Sequence, residues 1–219
     1  MKRNFFKIAL FSVLLFGLSG CFLKSVHPLV SDTEAIEFDQ VKGTWESEDE
    51  RFTFIKEGEW EDVTFNDIQG QDLSVTMSDT GTDSSHKSNP SYLVLYEDLT
   101  KEDPDSVYFI GKFIQLKQEF YLDLYPLDSF DLDFRSSHFL PVHTFSKVEL
   151  WADSISIHLF RDSWIEDQIR NHKVRIKHEA LEEGILITAS TEELQQFIKK
   201  YGTVTEAYRD PISLKRVNK

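Results

Sequence analysis

The stretch Tyr121-Leu-Asp123-Leu-Tyr125 sets a carboxylic acid between two phenols at alternating positions. On a β-strand, side chains two residues apart share a face. Tyr121, Asp123 and Tyr125 therefore point one way, and Leu122 and Leu124 the other. If the leucines face the core, Asp123 faces water. If the strand lines a hollow barrel, two hydroxyls flanking a desolvated carboxyl group would orient a ligand that brings a cationic or hydroxyl-bearing group. His143 and Phe145 share a face on a later strand and could complete that site. The candidate ligand-binding set is thus Tyr121, Asp123, Tyr125 and His143.

Other arrangements of reactive residues fail on spacing. His138 and His143 are five apart on a strand and face opposite sides of the sheet. His178-Glu179 with Glu182 lacks the second histidine four positions on that a zinc-protease helix needs, and it lies in a β-patterned segment. The acidic runs at 46–50 and 102–105, and Asp128, Asp131 and Asp133, lack the alternating oxygens, glycine and terminal glutamate of a calcium loop. They read as solvated surface. There is no Gly-X-Ser-X-Gly elbow and no phosphate-binding glycine loop. The expectation is a protein that is not an enzyme, with no metal and no cofactor.

The chain has one cysteine, Cys21, and its surroundings are informative. Lys2, Arg3 and Lys7 form a positive start without an acid, and Ile8 to Leu18 is an apolar run. That run is shorter than the roughly 20 residues needed to span a bilayer core, so it reads as an export signal. Leu18-Ser19-Gly20-Cys21 resembles the lipobox of bacterial lipoproteins. The resemblance implies cleavage before Cys21, a diacylglyceryl thioether on its sulfur and, in many bacteria, a third, amide-linked acyl chain such as palmitate. Each buried methylene contributes about 0.8 kcal/mol, so two or three chains make a lasting anchor. Phe22 stands where aspartate would retain many lipoproteins in the inner membrane. In a two-membrane cell this favours the outer membrane.

Acids outnumber bases 38 to 24, a net charge of −14, and loss of Lys2, Arg3 and Lys7 with the signal takes this to −17. Such a charge repels nucleic acid, and no basic stripe is evident. The expected partners are the membrane, through lipidated Cys21, and a small apolar ligand or lipid.

The elements that must position these residues are mostly short strands. Residues 1–20 read as signal, 21–41 as a lipidated tether and 42–219 as one β domain. Strands are expected at Trp45–Ser47, Arg51–Ile55, Trp60–Phe65, Leu73–Met77, Tyr92–Tyr96, Val107–Leu116, Phe120–Tyr125, Val142–Trp151, Ser154–Phe160, Lys173–Leu181 and Ile185–Ala189. Residues 78–90 read as a loop. Ser163-Trp-Ile-Glu166 and Ser190-Thr-Glu-Glu193 are capping-box patterns that open two helices. In the second helix Leu194, Phe197, Ile198 and Tyr201 form an apolar stripe, ended by Gly202.

Gly43-Thr44-Trp45 at the first strand resembles the Gly-X-Trp signature of the lipocalin family. That resemblance implies an antiparallel calyx around an apolar ligand with a C-terminal helix on its wall. Gly43 would permit a tight turn into the strand, and Trp45 would plug the closed end. There is no second motif of Thr-Asp-Tyr type, and the arginine nearest to the C-terminal helix on its N-terminal side, Arg175, lies on an earlier strand. Residues 121–126, 140–145 and 186–197 also resemble blocks of uncharacterised bacterial lipoproteins. The expected fold is mainly β: an antiparallel, lipocalin-like barrel or sandwich with a short inserted helix and a C-terminal helix. The expected function is an envelope lipoprotein that binds a small apolar ligand in its barrel. The alternative is a filled barrel that serves an envelope assembly through its surface.

Overall fold

A computed structural model describes residues 22–59, 65–68, 71–73, 90–102, 104, 106–127, 140–182 and 184–217. The signal segment, Cys21, all but the last residue of the strand expected at 60–65, all but the first of that expected at 73–77, most of the loop at 78–90 and residues 128–139 lie outside them. The strands are β1 (Lys24–Ser25), β2 (Gly43–Glu46), β3 (Glu50–Lys56), β4 (Phe65–Ile68), β5 (Gln71–Leu73), β6 (Tyr92–Asp98), β7 (Ser106–Leu116), β8 (Glu119–Pro126), β9 (His143–Leu150), β10 (Ser154–Leu159), β11 (His178–Ala180), β12 (Ile185–Ile187) and β13 (Ile212–Arg216). The helices are α1 (Asp162–Arg170) and α2 (Thr191–Tyr201).

Eight of the strands, β2, β3, β6, β7, β8, β9, β10 and β13, close in chain order into an antiparallel barrel, because β9 pairs with β10 and β13 bridges β10 to β2. The fold is therefore the mainly β, lipocalin-like barrel expected. The C-terminal helix does not end it, however. α2 is followed by β13, the closing strand, which the sequence reading omitted. β1, β12 and β11 extend the sheet from the start of β9 as a flap outside the barrel.

Alternation along the strands fills the barrel. Phe52 and Phe54 on β3, Tyr92 and Val94 on β6, Phe113 on β7, Leu122 on β8, Val148 on β9, Ile155 and Ile157 on β10 and Leu214 on β13 are buried together around Trp45. Burial of a large aromatic or aliphatic side chain contributes about 1.5–3 kcal/mol, so this ring of side chains is a main source of stability. Gly43 adopts φ +105°, a left-handed conformation that turns the chain into β2 at no Cβ cost. Trp45 is fully buried, and its indole donates to the Val41 carbonyl at 2.6 Å. Over its ring, at 3.9 Å, lies the guanidinium of Arg216 on β13, not that of Arg175. Arg216 donates to the carbonyls of Lys42 and Gln40 at 2.9 and 2.6 Å, joining both ends of the domain at one end of the barrel.

A second core lies outside the barrel wall. Ile114, Leu116, Tyr121 and Phe145 face outward from the barrel strands and meet Leu194, Phe197 and Ile198 of α2. The Ser190–Glu193 capping box forms as expected, with Ser190 Oγ accepting from Glu193 N and Glu193 Oε2 from Ser190 N. The box at Ser163 does not. Arg161 is the N-cap of α1, no side chain caps that end, and the Ser163 amide donates to the carboxyl group of Asp162 at 2.8 Å.

The segment expected as a tether is packed. Leu23, Leu29, Val30, Phe38 and Val41 are buried, β1 joins the sheet, and Ile36 bridges to Phe113. Residues 22–41 thus form a strap around the barrel, and Phe38 seals one end by stacking on Phe120 at 4.6 Å.

Gly202, the C-cap of α2, has an ordinary helical φ of −65°, so space and not backbone freedom selects glycine there. A Cβ would collide with the Tyr121 hydroxyl. Gly202→Ala is expected to cost about 1–3 kcal/mol by overpacking. Adding Tyr121→Phe should return part of that cost. A double-mutant cycle by urea denaturation that shows strict additivity would remove the clash as the cause.

Candidate functional site

Tyr121, Asp123 and Tyr125 share a face of β8 that lies outside the barrel, covered at Tyr121 and Asp123 and exposed at Tyr125. Leu122 points into the barrel, so the polar face lies on the outer wall. Tyr121 and Asp123 are 1% and 3% exposed because the N-terminal strap and α2 cover that wall. The leucines face the core as in the first alternative, but Asp123 is covered rather than wet, and the placement of these residues inside the barrel is corrected.

Three of the four residues come together. Asp123 Oδ2 accepts from the strap amides of Leu29 and Val30 at 2.6 and 3.1 Å. Its Oδ1 lies 2.8 Å from His143 Nδ1. The β8–β9 register brings Tyr125 opposite His143, and their rings meet 4.6 Å apart, tilted by 38°. Asp123, Tyr125 and His143 line a groove of about 670 Å³ with Pro28 and Val30 of the strap and Lys112 of β7. Asp123 is already engaged by three groups, so in this arrangement it pins the strap and orients the imidazole. Ser31, a hydroxyl in the same groove, hydrogen-bonds Glu34 and Thr33 rather than His143.

Tyr121 stands apart. Its hydroxyl meets that of Tyr208, which donates to the Gly202 carbonyl at 2.8 Å. Burial pushes the Tyr121 phenol above its usual range, partly offset by the Tyr208 hydroxyl, and burial raises Tyr208 more strongly. Both are structural phenols under α2. Phe145 is likewise buried, against Phe160 at 5.7 Å, and does not reach the groove. Inside the barrel, burial pushes Tyr96 up to about 12 and also raises Glu50, whose carboxyl group accepts from the Tyr96 hydroxyl at 3.4 Å.

A second groove, of about 940 Å³, was not foreseen. Residues 172–178 form one wall and α2 the other. Its signal in the sequence is the run Arg-Asn-His-Lys-Val-Arg-Ile-Lys-His at 170–178, which has no acid in a strongly acidic chain. Among the described residues, no group of three or more His, Cys, Asp or Glu is placed to hold a metal, and no helix is long and apolar enough to cross a membrane. Comparison of the chain with protein-family models, curated proteins and solved structures finds no match.

Proposed function

We propose that the chain is a non-enzymatic lipoprotein of the bacterial envelope, held by acyl chains on Cys21, and that it serves a protein assembly through its surface. The observation that carries this reading is the filled barrel. Trp45, Phe54, Tyr92 and Phe113 occupy its interior at 1% exposure or less. A Cβ added at Gly111 would come within 2.7 Å of Val94 and 3.3 Å of Leu122, so the packing there leaves no room for a methyl group. A ligand of ordinary size needs roughly 300 Å³ or more. Room for one would require displacing these rings, and the filled-barrel alternative is the one this interior favours.

The anchor reading rests on the pattern around Cys21. Phe22, the first described residue, bridges to Arg161, so acyl chains on Cys21 would hold the domain close against the bilayer. Phe22 at the second mature position favours the outer membrane where two membranes are present.

Native mass spectrometry of the full-length protein tests both parts. The expected species carries covalent acyl mass and no additional bound lipid, and Cys21→Ser removes the acyl mass and releases the protein from the membrane fraction. Fatty-acid labelling that persists in Cys21→Ser would overturn the anchor. A stoichiometric co-purified lipid would restore the ligand-binding barrel.

A further inference from the structure

We propose that the groove between residues 172–178 and α2 takes an extended, acidic segment of a partner protein. That segment adds to the free edge of β11 and is read by Lys173, Arg175 and Lys177. The proposal rests on the interaction-module reading above and names the surface and the kind of partner.

The local sequence builds the groove. α1 ends in a Schellman turn: Lys173 N donates to the Gln168 carbonyl at 2.8 Å and His172 N to that of Ile169 at 2.9 Å. His172 takes the left-handed position at φ 56°. Val174 is buried and Ile176 partly buried in the outer core, so Lys173, Arg175 and Lys177 face solvent at every second position. At about 3.3 Å per residue, the three cations are about 6.6 Å apart. Acidic side chains at alternate positions of a facing strand repeat at the same interval.

The backbone is available as well. The barrel closes on itself, and the flap runs β9-β1-β12-β11, so β11 is the open end of the sheet among the described residues. Residues 174–177 lead into β11 with part of their backbone engaged: Val174 N donates to the Gln168 carbonyl, Thr188 N to that of Lys177, and His178 Nδ1 lies 2.9 Å from that of Ile176, so the open backbone is the side of β11 away from β12. An exposed edge offers unpaired amides and carbonyls to an added strand, and pockets or charges along it supply selectivity.

Glu192 and Glu193 of α2 also line the groove, but Lys173, Arg175, Lys177 and Lys200 outnumber them. Lys177 pairs with Glu193 at 3.2 Å and Lys200 lies over the Tyr201 ring at 4.8 Å. The side chains of His172, Lys173 and Arg175 have no ion-pair partner among the described residues. An acidic strand supplies one. A second copy of this chain does not, since symmetric pairing of the edge would set cations against cations. An anionic membrane would use the charges and leave the edge and the groove unused.

The test uses full-length protein in detergent and a fluorescein-labelled peptide of four Glu-Thr repeats, followed by fluorescence anisotropy. Saturable binding is expected, weakened at least about tenfold by the double substitution Lys173→Glu/Arg175→Glu. A peptide of four Glu-Pro repeats keeps the charge but loses half of its N–H donors, and it should also bind at least about tenfold more weakly. Equal binding of the two peptides would overturn strand addition, and indifference to the charge reversal would overturn the assignment of the cations. No binding at all would leave the lysines as edge guards against aggregation and overturn the proposal. Flotation of Cys21→Ser protein on phosphatidylglycerol vesicles, lost on charge reversal while the peptide fails to bind, would assign the patch to the membrane instead. Co-purified lipid is scored separately, so failure of the filled-barrel reading is distinguishable from failure at the groove.

Discussion

Asp123→Ala is expected to lower the unfolding free energy by about 3–5 kcal/mol. The carboxyl group is 3% exposed and accepts from the amides of Leu29 and Val30, themselves 0% and 1% exposed. Truncation leaves both donors buried without an acceptor, at about 1–3 kcal/mol each, and frees the His143 ring it orients. Asp123→Asn keeps one acceptor oxygen and should cost less than the alanine change. Urea denaturation gives the magnitude, and hydrogen exchange gives the location. The Leu29 and Val30 amides should lose protection while amides of β7 and β8 keep theirs under native conditions. Unchanged exchange at Leu29 and Val30 would mean that Asp123 does not hold the strap.

Local pattern foretold the central strands because their inward and outward residues alternate visibly. β6 to β10 fall within a few residues of the expected runs, and the Ser190 capping box sits where the pattern put it. What local pattern could not supply was the cover on each face. A period of two puts Tyr121, Asp123 and Tyr125 on one face, yet it cannot tell whether a strap from residues 22–41 will lie over it. The bonds that decide the matter join Asp123 to residues more than 90 positions away. β13 is faint in the sequence for a related reason. Ile212, Leu214 and Arg216 alternate with Ser213 and Lys215, a short and weak signal that gains meaning only between β10 and β2. Its Arg216 then reaches Trp45, a contact that no search confined to the residues ahead of α2 could find.

The same sheet explains why the two cores should fail together. β7 and β8 bury both faces. Phe113 and Leu122 point into the barrel, while Ile114, Leu116 and Tyr121 point under α2. Loosening α2 exposes the outer face of strands whose inner face holds the barrel's packing. A single domain so connected should unfold in one cooperative step. A sandwich of helix on wall without that sharing could release α2 first.

Phe197→Ala tests this coupling and carries an effect as large as that of Asp123→Ala. Phe197 is 6% exposed, lies 6.2 Å from the Phe160 ring and 5.2 Å from that of Tyr201, and shares the buried stripe with Leu194 and Ile198. Removing a buried phenyl group loses its transfer free energy and leaves a cavity among rigid neighbours. The expected cost is about 3–5 kcal/mol. Phe197→Leu fills part of that space and should cost less. Denaturation should be followed both by far-ultraviolet circular dichroism and by tryptophan fluorescence, since Trp45 lies in the barrel and Trp164 beside Tyr201 of α2. Both signals should shift to a lower midpoint by the same amount, with an unchanged slope. An unchanged midpoint would mean that α2 is not docked. Two separated transitions would mean that it is docked but does not share the barrel's cooperativity.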